Sequence, residues 1–298
     1  MPSFQNVRRP KSATATQLNW THYWLFLIMF FFLKLKYRSA NKKCHIDIIL
    51  NIGASMNLEE MSNTMKETLG IRDNVVGVAL FKKEEDIPKD IMIYEKPFRY
   101  CQMIQTARLK GDSFLAHADY HECKGGAAGL GLIDCPENIA SGSLYFDKLH
   151  KCESKEIGAS ISASMPKLEP ASIVATYVAP LDKMVVSPDV VIFVGNALQA
   201  RRITQAVMYK KGGRSTFDTA GIQSFCVDAT SSPLLRGDVN ISLGCDGSAR
   251  NANLDDSSLV VGIPFSMMEE ICIVLRKHYQ NWDAFTRGWQ EAVKKEAA

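Results

Sequence analysis

The 298-residue chain has almost no charge imbalance, no apolar run long enough to cross a bilayer comfortably, and none of the compact catalytic signatures. Its 35 lysines and arginines stand against 32 aspartates and glutamates, a formal charge of +3. That small excess gives no concentrated basic surface of the kind that binds nucleic acid. The longest apolar run, Tyr23 to Leu33, would cover roughly half of a bilayer core at about 1.5 Å per helical residue. Lys34, Lys36 and Arg38 follow it with no small-residue cleavage site, which argues against a secretory signal. No G-x-S-x-G elbow, H-E-x-x-H helix or Ser-His-Asp order occurs, which disfavours a standard hydrolase. Neither G-x-G-x-x-G nor a Walker A pattern supports a nucleotide site. The cysteines lack any C-x2-C pair, the usual start of a metal cage.

What is present is enough apolar side chain, 46%, to bury a substantial core. The eight cysteines (Cys44, Cys101, Cys123, Cys135, Cys152, Cys226, Cys245 and Cys272) are spread out, unlike those of a stapled secreted domain. They imply free thiols in a reducing compartment, hence a cytoplasmic protein. Three segments follow from composition. Residues 1–55 read as an upstream extension outside the fold, the competing reading being a membrane anchor at 20–37. Residues 56–280 form the main unit, starting at Met56 with Asn57 as helix N-cap. Residues 281–298 form a C-terminal amphipathic helix or tail.

The main unit is expected to be α/β (or α+β), with two pseudo-repeated strand-helix-strand halves packed into one compact unit. Val75–Phe81 and Val190–Val194 are short, β-branched runs suited to strands covered on both faces. A helix is expected over 98–110 up to Gly111, and another over 198–211 up to Gly212. Further strands are expected at 91–94, 173–178, 239–243 and 259–263, with a helix over 265–279. Phe114 followed nine residues later by Cys123 is matched by Phe217 and Cys226. Residues 151–172, rich in Ser, Lys and Glu with two prolines, read as an exposed connection.

Two segments couple a thiol to glycines: Cys123 with Gly125, Gly126, Gly129 and Gly131, and Gly244-Cys245-Asp246-Gly247 followed by Arg250. Read as loops, they can turn backbone N–H groups toward an anion, although glycines serve ordinary tight turns equally well. Helical spacing sets Cys101, Gln105 and Arg108 on one face, and Arg108 with Arg250 could clamp a carboxylate or phosphate. On a helix His117 and His121 would share a face suited to a metal, on a strand they stand about 13 Å apart, and they are left out of the site.

Cys101-Gln102 with Ala107-Arg108 and Gly111, Cys123 with Gly126 and Leu130-Gly131, Ala179-Pro180-Leu181, Pro188-Asp189-Val190-Val191, Cys226, and Leu243-Gly244-Cys245 with Gly247 and Arg250 together resemble an uncharacterised prokaryotic family, domain of unknown function 169. The resemblance covers about Met56 to Tyr279. It implies a cytosolic protein common in archaea and anaerobic bacteria, and no stated activity. The matched positions contain four cysteines, Cys101, Cys123, Cys226 and Cys245, the ligand count of a structural zinc or an iron-sulfur cluster. Their spacings of 22, 103 and 19 residues require the fold to gather them. Packing as small buried hydrophobes is the plainer alternative. The expectation is therefore a thiolate-bound metal, iron-sulfur or other redox cofactor acting on a small anionic molecule. The alternative is a non-catalytic small-anion module with structural cysteines. Self-association into a homo-oligomer is compatible with either.

Overall fold

The computed structural model describes residues 55–296; the expectations for the N-terminal extension and its anchor alternative fall outside them. Helix α1 (Leu58–Leu69) opens with Asn57 as N-cap, whose side chain and that of Glu60 exchange bonds with each other's backbone N–H, and ends at left-handed Gly70. Strand β1 (Val76–Phe81) leads to α2 (Tyr100–Lys110), closed by left-handed Gly111, and to β2 (Phe114–His117). Helices α3 (Lys124–Gly129), α4 (Glu137–Ala140) and α5 (Lys155–Ser164) precede β3 (Ala175–Pro180). The second part runs β4 (Val190–Gly195), α6 (Ala197–Lys211), α7 (Ser232–Arg236), β5 (Asn240–Ser242), α8 (Asp246–Ala252), β6 (Leu259–Pro264) and α9 (Phe265–Glu296). Wide π-type turns occupy Leu144–Lys148 and Ser224–Ser231.

The strands make one sheet of order β2-β3-β1-β4-β6-β5, every neighbouring pair antiparallel. The class is thus the α+β form of the expectation. One face carries Val76, Val78, Val178, Val190 and Ile192 under Met103, Ile104 and Phe225. The other carries Val191, Phe193, Val261 and Ile263 under α1, α6 and α9. Cover on both faces explains why β1, β4 and β6 are continuous apolar runs rather than alternating ones.

Each half of the sheet places its third strand between the other two, but the repeat goes no further. Helices α2 and α6, which follow β1 and β4, pack on opposite faces, whereas a two-fold relating antiparallel central strands would put them on the same face. Phe114 opens β2, yet Phe217 lies in no strand. The residue that follows β5 as Cys123 follows β2 is Cys245, so Cys226 is not the counterpart of Cys123.

Three local expectations also change. Residues 91–94 contribute only the Ile93–Leu115 bridge. The expected connection at 151–172 contains α5, started by the Ser154 side chain accepting from Ile157 N. The expected tail helix is continuous with the preceding one as α9, locked to α6 by Arg202, which meets Asp283 at 2.5 Å beneath the Trp282 ring.

Candidate functional site

The π-type stretch Ser224–Ser231 is wholly buried, and hydroxyls serve the carbonyls that its wide winding frees. Thr230 Oγ1 donates to Phe225 O at 2.7 Å, and Ser231 Oγ to Gly129 O at 2.8 Å and Cys226 O at 3.1 Å. The stretch passes so close to β6 that a Cβ on Gly262 would fall 2.0 Å from Ala229 O. Cys226 lies within this buried stretch. Ahead of it, Gln223 adopts a left-handed conformation, φ 56°, that non-glycine residues rarely take. Its amide rests against α3 where Gly125 and Gly129 leave room: a Cβ at 125 would lie 2.6 Å from Nε2, and one at 129 would lie 3.3 Å from Oε1. Gln223 Oε1 is buried without a hydrogen-bond partner.

A cavity of about 440 Å³ opens among α2, α3, α8, the stretch 139–151 and this π-type turn, and Cys101, Cys123, Cys226 and Cys245 all line it. Cys101 comes from the first turn of α2, Cys123 and Cys245 are the N-cap residues of α3 and α8, and Cys226 comes from the π-type stretch. The Sγ atoms of Cys226 and Cys123 lie 3.5 and 3.6 Å from the position a Gly126 Cβ would take. Gly125, Gly126, Gly247 and Arg250 also line the space.

The other expected residues lie elsewhere. Arg108 meets Asp73 at 2.6 Å and Gln105 Oε1 at 2.8 Å, and Gln105 Nε2 donates to Ala252 O at 3.0 Å. This pair ties α2 to its neighbours, with Arg108 Nε buried and without a hydrogen-bond partner. Gly129 packs against Val227, left-handed Gly131 against the Glu169 carbonyl, and left-handed Gly244 against Leu254. The expected glycine loops are in fact the short helices α3 and α8, with Cys123 and Cys245 as their N-cap residues.

The four thiols sit in unequal surroundings. Burial, then Cys245 and Cys123, push Cys101 up to about 12. Burial, then Cys123, Cys245 and Cys101, push Cys226 well above the ordinary range. Burial also acts to raise Cys245, but bonds from Ser224 and Ser248 outweigh it and leave the thiol below its usual value. Ser224 Oγ and Ser248 N each donate to Cys245 Sγ at 3.4 Å. Charge gathers at the rim: Arg99 pairs with Glu122 at 3.0 Å, Lys151 pairs with Asp246, and Arg250 is exposed. Ile139, Leu144, Tyr145 and Phe225 add an apolar part to the lining.

Among the described residues, no group of three or more Cys, His, Asp or Glu side chains is arranged to hold a metal ion. A tetrahedral zinc, with Zn–S bonds of about 2.3 Å, would draw its sulfurs to about 4 Å of one another. The thiols surround a space instead of meeting at a point. Of the excluded histidines, His121 is buried against Thr176 and Tyr100, and His117 bonds Glu84. Sequence reasoning missed Tyr145, Lys151, Gln223, Ser224 and Ser248. The two serines flank family cysteines, and that adjacency was their one signal.

Fold and cavity together define a single-sheet α+β protein with a pocket lined by four cysteines. The family described as uncharacterised ArCR, domain of unknown function 169, matches residues 64–273, and the chain belongs to it. An uncharacterised protein of Methanocaldococcus jannaschii is 36% identical over 226 residues, covering 76% of this chain and 96% of that protein. No solved structure matches the chain. Among the described residues, no helix is long and apolar enough to cross a membrane.

Proposed function

We propose that the cavity holds a thiolate-bound redox group, an iron-sulfur cluster in first place, and acts on a small anionic molecule in the cytoplasm. The observation that carries this reading is that four cysteines, far apart in sequence and drawn from four elements, line one cavity. A cluster distributes its thiolates over several irons, so it accommodates sulfurs set around a space better than a single ion does. Thiols with raised pKa values become ligands by losing their protons to the solvent as metal binds. Arg250, the rim cation left over once Arg99 pairs with Glu122 and Lys151 with Asp246, favours a negatively charged partner.

The test is anaerobic purification followed by visible absorbance and iron and sulfide analysis. Coloured, iron-bearing protein is expected, with Cys226→Ser losing most of the iron. Colourless, metal-free protein from anaerobic cells would sink the cofactor. The missing ion-type ligand group favours a second reading, a non-catalytic anion-binding module with structural cysteines. Anion binding that survives replacement of all four cysteines by serine would select it.

A further inference from the structure

We infer that the ligand of this cavity is an apolar-bodied monocarboxylate rather than a compact inorganic anion. The inference rests on the reading above only in taking this cavity as the ligand site. The space, about 440 Å³, is in the ordinary range for small-molecule sites. Ile139, Leu144, Tyr145, Leu149, Ile222 and Phe225 supply the apolar part of its wall. Leu149 stays 47% exposed at the mouth, where an apolar ligand would cover it. The thiols beside this wall behave as small apolar groups when protonated. A phosphate or sulfate set against these apolar side chains would lose water there without gaining donors from them.

The rim supplies one end of the ligand. Arg99 is neutralised by Glu122 and Lys151 by Asp246. Among the described residues, Arg250 has no acidic partner. One unpaired guanidinium beside an apolar chamber matches one planar carboxylate, which it can bind through two parallel N–H donors.

Calorimetric titration of the reduced full chain with acetate, butyrate, hexanoate, hexanamide and inorganic phosphate tests this. Affinity is expected to rise about fourfold per added methylene from acetate to hexanoate. Hexanamide should bind at least tenfold more weakly than hexanoate, and phosphate should not saturate. Arg250→Gln, a change at an exposed position, should weaken hexanoate about tenfold and leave hexanamide unchanged. Phosphate binding as well as hexanoate, equal binding of acid and amide, or no titration by any carboxylate would each overturn the inference. Iron analysis of the same preparation separates the two readings. Metal-free protein that binds hexanoate upholds the ligand class and sinks the cofactor. Iron-loaded protein that ignores hexanoate does the reverse.

Discussion

Gly126 separates the space between two of the cavity's thiols from the stability of the protein. A methyl group there would touch Cys226 Sγ and Cys123 Sγ at 3.5 and 3.6 Å, ordinary contact distances. Alanine also favours helix over glycine by up to about 1 kcal/mol. Gly126→Ala is therefore expected to keep or raise the thermal midpoint and, on the proposed cluster reading, to lower the iron content, as measured by unfolding and metal analysis on one sample. A variant that retains iron would remove the space between these two sulfurs from the site. His121 gives a second residue-scale outcome. Burial pulls its pKa from 6.5 down to about 4. The unfolded chain takes up the proton first, so the stability carried by the neutral ring is full above pH 6.5 and is lost as pH falls toward 4. His121→Gln should flatten the acid limb of the urea-unfolding free energy by roughly 3 kcal/mol relative to wild type. Asp228, raised by burial to about 6, has the opposite sign, its stabilising share being lost as pH rises through 6. The four cysteines were legible as candidates because their thiols recur at family positions. Tyr145 and Leu144 were not, because an apolar cavity wall has the same composition as a core.

At the scale of elements, the π-type stretch against β6 is the most demanding contact. Gly262→Ala would set a methyl 2.0 Å from the Ala229 carbonyl, and backbone cannot step aside as a side chain can. A loss of about 3 kcal/mol is expected by chemical denaturation. Gly247→Ala is the control, since its methyl meets only Cys245 Sγ, at 3.7 Å. Strands β1, β4 and β6 could be read from their apolar β-branched runs, and α1, α2 and α6 from their caps. Helix α5 buries only Gly158 and Ser162, so its sequence has no apolar stripe to announce it. The π-type winding at 224–231 has neither strand nor α-helical periodicity. Its Ser and Thr residues, which serve carbonyls, look in sequence like those of a loop. The glycine-rich stretch at 124–129 is helical because close packing against Gln223 and Val227 overrides weak local propensity.

For the molecule as a whole, the described sheet and its covering helices form one compact unit. Met56 N donates to Glu269 Oε1 at 2.9 Å, and α1 has its own capping box. A chain beginning at Met56 is expected to unfold in one cooperative transition followed by circular dichroism; a non-cooperative or aggregated product would show that the preceding residues are needed. The cavity has a further consequence for this unit. Cys101 and Cys123 belong to the part of the chain that forms β1, β2 and β3, while Cys226 and Cys245 belong to the part that forms β4, β5 and β6. Whatever binds all four is a cross-link between the two sides of the sheet, closing a loop of more than one hundred residues. Occupancy would then protect the whole chain against protease, not merely the pocket, and the rate of digestion becomes a gauge of how full the site is.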